Sequence, residues 1–322
     1  MRLKLVPSET KWDFFRYARM TFGFSVFMIV VSLVLEAVVG LNYGIDFRGG
    51  TTIRTEATQP VDVGAYRDAI APLGLGDISI TEVFDPTFDE DQNVAMIRIQ
   101  AQEGQESVSA DIVASVEDAL MGVDPTITFP SVESVGPKVS GELIWTAVIA
   151  VVLAIGAVLF YIWLRFEWQF SVGAVAALIH DVIITIGVFS LLQIQFDLAI
   201  IAALLTIVGY SLNDTVVVFD RVRENLIKYK QKALKDVLNL SINETLSRTV
   251  MTSTTTLLAL IALLILGGDV IRGFVFAMTW GVVVGTYSSV FVASNILLML
   301  GTKRDWSKPD ANQGNQFGTP ET

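Results

Sequence analysis

Long apolar runs separated by short polar connections dominate the chain. Six of them approach the roughly 20 apolar residues that a bilayer-spanning helix needs: about 20–40, 143–163, 170–192, 198–219, 249–267 and 273–299. Between the first two runs the pattern changes. Alternating and helical periods take turns there, predicting a strand near Thr51 to Thr55, a helix from Val61 to Leu73 and strands near Asp77 to Phe84 and Val94 to Gln100. A helix from Ser107 to Leu120 and a strand from Thr126 to Val135 complete the series. This β-α-β-β-α-β order is the split unit of ferredoxin-like domains. The pattern therefore predicts an α-helical membrane protein with six transmembrane helices and an α+β domain, residues 41–142, between the first and second.

The connections carry further signals. The first apolar run follows a long charged lead and is itself long enough to span, so it reads as an uncleaved anchor. Residues 220–241 place Leu234, Val237 and Leu238 at helical spacing, predicting an amphipathic segment along the membrane surface. Ser241-Ile-Asn-Glu244 matches a capping box, which would start the fifth spanning helix near Ile242. The polar tail, residues 301–322, is expected to be disordered.

Composition narrows the class. The 322 residues are 52 % hydrophobic and only 17 % charged, with a mean hydropathy of +0.57, too apolar for a single soluble core. Of the 22 Lys and Arg, six fall on one side of the apolar runs: Arg48, Arg54, Arg67, Arg98, Lys138 and Arg272. The other 16 fall on the opposite side, so the positive-inside rule puts both termini, including residues 1–19, in the cytoplasm and residues 41–142 on the far, exported side. Trp12, Trp145, Trp163 and Trp168 lie near run ends, where an interfacial aromatic belt would place them. Residues 41–142 hold 18 Asp and Glu against five Lys and Arg, so the net charge of -11 belongs to this domain and argues against nucleic-acid binding. With no Cys and one His, the sequence offers neither a disulfide nor a metal-ligand cluster. It has no phosphate-binding, nucleophile or triad pattern, and it reads as a protein without cofactor or enzymatic site.

The candidate chemistry lies inside the apolar runs. A charged side chain at the bilayer centre costs about 2.5–3.5 kcal/mol on insertion scales and tends to mark an ion or proton path. Asp214, preceded by Asn213, sits roughly 7–8 Å in from the end of the fourth run, and Arg248 roughly 9 Å into the fifth. Thr206, Tyr210 and Asp214 share one helical row, as do Arg248, Thr252 and Thr256. One acid and one base on two polar stripes predict facing helices and a proton relay, because a nearby Arg favours the ionised acid while desolvation opposes it. The alternative is that both groups snorkel to the interface as anchors. His180 and Asp181, near the middle of the third run, fit either a proton path or a packing role. Gly281 and Gly285 form a small-xxx-small pair for close helix approach. In the stretch opening the exported domain, Gly44, Asp46, Phe47, Gly49 and Gly50, the paired glycines point to backbone angles that side chains forbid.

Several stretches together resemble the SecF proteins of the SecD/SecF family, within the RND superfamily: GIDFRGGT (44–51), VGPKVSGEL (135–143), RFEW (165–168), IHD (179–181), GYSLNDTVVVFDRVREN (209–225) and SINETLSRTVMTSTTT (241–256). The resemblance implies a subunit of the bacterial inner membrane that pairs with the related SecD and associates with the SecYEG channel. It also implies a client in the form of a translocating unfolded polypeptide, and neighbours among membrane lipids and other Sec accessory membrane proteins. The family uses the proton-motive force to draw secreted chains out on the far side. It implies proton-pathway roles for Asp214 and Arg248, and its IHD motif falls on His180 and Asp181. A half-size RND exporter of a lipid or small molecule is the alternative function, and a purely structural clamp on the channel is a third.

Overall fold

A computed structural model describes residues 10–76, 78–86, 88–89, 91–100 and 109–302. From its N-terminal side the chain forms α1 (Ala18–Val38), β1 (Asn42–Tyr43) and the single turn α2 (Ile45–Arg48). The extramembrane domain follows as β2 (Gly50–Ala57), α3 (Val63–Ile70), β3 (Ile78–Val83), β4 (Asn93–Gln100), α4 (Ala110–Met121) and β5 (Thr128–Val135). The rest is α5 (Pro137–Arg165), α6 (Trp168–Leu192), β6 (Gln195–Phe196), α7 (Leu198–Lys228), α8 (Leu234–Leu266), α9 (Gly268–Ser288) and α10 (Ser294–Leu300). The expected disordered tail lies outside the described residues, apart from Gly301 and Thr302.

In the domain the sheet order is β3-β4-β2-β5, with every pair antiparallel. Strand alternation sets its core: Ala95, Ile97 and Ile99 of β4 turn inward with Ile53, Ile70, Val116 and Leu120, whereas Met96, Arg98 and Gln100 occupy the opposite face. Asp62 and Ser109 cap α3 and α4 by accepting from the amides of Ala65 (3.0 Å) and Ile112 (3.4 Å).

Among the described residues six helices are long and apolar enough to cross a membrane: Phe14–Val38, Val139–Arg165, Trp168–Leu192, Leu198–Lys228, Leu234–Leu266 and Gly268–Leu300. They divide into an inner and an outer set. The most apolar windows of the third, fourth and sixth are 56 %, 44 % and 61 % buried, against 11 %, 6 % and 11 % for the first, second and fifth. So α6, α7 and α9 form the bundle's centre, while α1, α5 and α8 present long apolar faces outward.

Small residues let the central helices approach. Gly281 and Gly285 of α9 lie against Ile207 and Ser211 of α7, and Gly187 of α6 lies against Ser32 of α1. A Cβ on Gly187 would stand 2.7 Å from the Ser32 Cα, a backbone atom that no side-chain rotation can move. Gly187→Ala is therefore expected to destabilise the bundle by about 1–3 kcal/mol, read as a lower thermal midpoint in detergent. Gly23→Ala, where the new Cβ meets nothing within 4 Å, should leave the midpoint in place.

Two sequence expectations need correction. Residues 220–241 do not form a separate surface helix: α7 runs on to Lys228, and α8 begins at Leu234 after a turn. The apolar face of that segment is buried in the bundle instead, with Val237 and Leu238 inaccessible and Leu238 packed against Phe15, Phe219 and Val222. Nor do Ser241 and Glu244 cap a helix start, because both lie inside α8. Their polar atoms serve α7: Asn225 Nδ2 donates to Ser241 Oγ (3.0 Å) and Glu244 Oε2 (2.7 Å), and Arg221 Nε donates to the same Glu244 oxygen (2.7 Å).

Among the described residues the domain meets the bundle at two joints. At one, β1 pairs in parallel with β6, and the Gly44 amide donates to the Phe196 carbonyl (2.8 Å). At the other, the Phe84 amide donates to Asp269 Oδ2 (2.8 Å) and the Asp269 amide donates to the Phe84 carbonyl (2.9 Å).

Candidate functional site

Two buried carboxylates in the bundle have opposite surroundings. Asp181 of α6 is saturated: its Oδ1 lies 2.9 Å from His180 Nδ1, and its Oδ2 accepts from Ser211 Oγ of α7 (2.6 Å) and Ser288 Oγ of α9 (2.8 Å). One side chain thus ties three central helices together. The His180 ring stacks on Tyr287 at 6.1 Å, and the Tyr287 hydroxyl donates to the Thr21 carbonyl of α1 (2.9 Å) and lies 3.0 Å from Ser25 Oγ. His180 Nε2 is buried without a hydrogen-bond partner.

Asp214 of α7 is only 3 % exposed, yet its Oδ2 is buried with no hydrogen-bond partner. The polar groups acting on it come from α8, Arg248 through its charge and Ser253 at close range. The Ser253 hydroxyl also lies 2.7 Å from Thr286 Oγ1 of α9. Among the described residues Arg248 makes no ion pair or hydrogen bond with the Asp214 carboxylate. Its side chain is exposed, as is Asn213. The geometry of α8 explains the separation: Arg248 and Ser253 are five residues apart, about 140° around a helix, so a carboxylate beside Ser253 is turned away from the guanidinium's face. The two polar stripes touch where the Tyr210 hydroxyl donates to Thr256 Oγ1 (3.4 Å). Thr252 is occupied within its own helix, donating to the carbonyls of Arg248 (3.1 Å) and Thr249 (3.0 Å).

Directly beyond Ser288 the last spanning helix widens into a π-turn, Ser289–Ala293. Such turns shift the helix register locally and recur at functional positions. Ser211, Ser253, Thr286, Ser288 and Tyr287 are thus part of the polar interior, although the sequence stripes did not single out their roles. The usable signal was a second polar row on α7, Ser211 and Thr215, next to the row of Asp214.

The glycine-rich entry to the domain forms the first joint. Gly49 (φ 74°) and Gly50 (φ 143°) hold backbone angles that favour glycine, which lets α2 turn directly into β2. Phe47 is buried against Phe196, with ring centroids 6.0 Å apart. Asp46 Oδ2 accepts from the Leu198 amide (3.1 Å), and Asp197 caps α7 by accepting from the Ile200 amide (3.1 Å). Burial raises the Asp197 carboxyl above its ordinary value, the Asp46 charge adds to this, and the capping amides and Arg98 oppose it. An acid that holds its proton more tightly when folded gives stability that grows as pH falls through the carboxylate range and is lost as pH rises past the raised value. Asp197→Asn, which keeps an acceptor for the cap, is expected to flatten this part of the curve of thermal midpoint against pH. Asp197→Ala should flatten the curve in the same way and, relative to Asp197→Asn, cost about a further 1 kcal/mol for the lost cap.

Residues 115–303 match the family described as protein export membrane protein SecD/SecF, C-terminal, and residues 37–61 match the SecD/SecF GG motif. The chain belongs to the SecD/SecF family. A curated relative from Cereibacter sphaeroides, a protein translocase subunit SecF, is 65 % identical over 316 residues, covering 98 % of each chain. Another SecF, from Vibrio alginolyticus, is 41 % identical over 308 residues, covering 95 % of each. Among solved structures, the SecDF of Thermus thermophilus, described as a translocon-associated membrane protein, matches 93 % of this chain at 36 % identity with a TM-score of 0.81. A SecDF structure described as a super-membrane-facing form matches the same share at 37 % identity and a TM-score of 0.68. This chain spans 40 % of the length of those SecDF chains. Membership of the SecD/SecF family and six spanning helices make it a multi-pass membrane protein with an RND-type bundle, and leave the exporter alternative without support.

Proposed function

We propose that this chain acts as a SecF-type accessory subunit of the bacterial protein translocase, converting the proton-motive force into movement of its α/β domain through protonation of Asp214. The observation that carries the reading is a buried carboxylate with an unpartnered oxygen, beside which Asn213 of the same helix and Arg248 of α8 are exposed. In this reading the partner is SecD, whose helices cover that face and complete the proton path. The SecDF structures support it, because a chain of this kind fills only part of their length. Transporters of this class commonly combine two such halves about a pseudo-two-fold axis. The subunit sits in the inner membrane with both termini cytoplasmic and the acidic domain periplasmic, as the Lys and Arg distribution favours. There it works beside the SecYEG channel on the emerging unfolded chain and needs neither cofactor nor enzymatic step.

The movable part is the α/β domain. Its second joint consists of two hydrogen bonds between Phe84 and Asp269, and its first contains Gly49 and Gly50. Equal coverage at TM-scores of 0.81 and 0.68 favours a fold that adopts more than one arrangement. The driving energy is adequate: a force of roughly 170 mV supplies about 4 kcal/mol per proton. A bias of that size changes a two-state ratio about a thousandfold. The test is translocation into vesicles holding this chain with SecD and SecYEG. A proton gradient is expected to accelerate the late stage of client release, and an ionophore to remove the acceleration. Equal rates with and without the gradient would overturn the reading.

A further inference from the structure

Three of the five basic residues in the acidic segment 41–142 converge on one cleft. Arg48 of α2, Arg67 of α3 and Arg98 of β4 line a cavity of about 350 Å³ at the first joint, together with Asn42, Tyr43 and Gln195. Its size falls in the roughly 300–1,000 Å³ range of small-molecule sites. Among the described residues none of the three arginines forms an ion pair, whereas Arg54, elsewhere on the domain, is paired with Glu56 at 2.9 Å. Arg98 is half-buried, and its Nη2 donates to the Met96 sulfur at 3.1 Å. Of the carboxylates near the cleft, Asp46 accepts from the Leu198 amide and Asp197 caps α7. Asp197 also acts through its charge on Arg98, and Glu36 of α1 on Tyr43, but neither forms an ion pair with an arginine of the cleft.

The position of the cleft narrows what it takes. Asn42 lies four residues beyond the end of α1, and Gln195 three residues before the start of α7. The opening is therefore level with the place where two spanning helices leave the apolar layer. We propose that this cleft binds the phosphate of an anionic phospholipid headgroup from the leaflet on the domain's side. Guanidinium forks match the paired oxygens of a phosphate. The domain's net charge is negative, so three arginines gathered in one cleft mark a place where an anion is drawn in. A headgroup held there bridges α2, α3 and β4 and braces the domain against the membrane. The site stands independently of the proton-coupling reading.

The experiment is native mass spectrometry of the purified full chain in detergent with phosphatidylglycerol, with phosphatidylcholine, and with phosphatidylglycerol plus inorganic phosphate at equal concentration. Preferential retention of phosphatidylglycerol is expected, falling about fivefold for each arginine removed in Arg67→Gln and Arg48→Gln/Arg67→Gln. Both side chains are exposed, so folding should be kept, and an unchanged thermal midpoint checks it. Arg16→Gln, at the opposite end of the bundle, should leave retention unchanged. Equal retention of the two lipids, or unchanged retention in the double variant, would overturn the proposal. Displacement by inorganic phosphate would overturn the lipid assignment and make a free anion the occupant.

Discussion

Replacing Asp214 with asparagine is expected to reduce gradient-driven translocation to the rate seen without a gradient, while the subunit still folds and assembles with SecD. The amide has almost the shape of the acid but exchanges no proton at physiological pH. Because Asp214 Oδ2 has no hydrogen-bond partner, the substitution breaks no bond at that atom. Its worst structural consequence is one buried amide donor without a partner, about 1–3 kcal/mol. The functional consequence is larger, since the whole bias of about 4 kcal/mol per proton is disconnected. Asp214→Glu retains a titratable group and should keep part of the acceleration. Arg248→Gln tests the other half of the arrangement. Its guanidinium acts on Asp214 through its field and not by contact, so its removal should alter the pH at which the gradient is effective before it alters stability.

Asp181→Ala is expected to behave in the opposite way, as a loss of stability. Truncation leaves Ser211 Oγ and His180 Nδ1 without this partner and leaves Ser288 Oγ only the Gly285 carbonyl of its own helix (3.1 Å). Hydrogen bonds between membrane helices are worth roughly 0.6–1.7 kcal/mol each, and a buried donor left unsatisfied costs roughly 1–3 kcal/mol. The sum predicts a loss of about 2–5 kcal/mol by the same accounting, read as a lower midpoint of thermal or denaturant unfolding in detergent. Asp214→Ala should cost clearly less, because Asp214 holds no comparable set of donors. Equal losses at the two positions would contradict the distinction between a carboxylate that clamps helices and one that is left able to titrate.

Elements governed by local periodicity were legible in the sequence. The apolar runs gave the six spanning helices to within a turn or two at most ends, and the β-α-β-β-α-β alternation gave the order of the domain. What escaped depends on contacts made across the fold. Ser241 and Glu244 carry the pattern of a helix start, but Asn225 and Arg221 of α7 claim their polar atoms, and the helix begins seven residues earlier. Val237 and Leu238 show the spacing of a surface helix, yet α7 and the segment at Phe15 supply the apolar cover that lipid was expected to give. Asp214 and Arg248 stood out because charge is rare in an apolar run. Which way each faces depends on the rotation of α7 and α8, and periodicity alone leaves that open. Ser288 and Gly187 gave no comparable signal, and Ser211 only the polar row it shares with Thr215, since a small residue in a spanning helix marks close packing only after its neighbour is known. The three arginines of the joint lie far apart in sequence, and the domain fold brings them together.

The central claim, that Asp214 changes its ionisation when a gradient drives the translocase, is tested most directly by difference infrared spectroscopy of this chain reconstituted with SecD and SecYEG. Imposing the gradient should change the C=O stretching band of a protonated carboxyl, and the change should be absent in Asp214→Asn. A gradient that accelerates translocation while leaving that band identical in the two proteins would contradict the account.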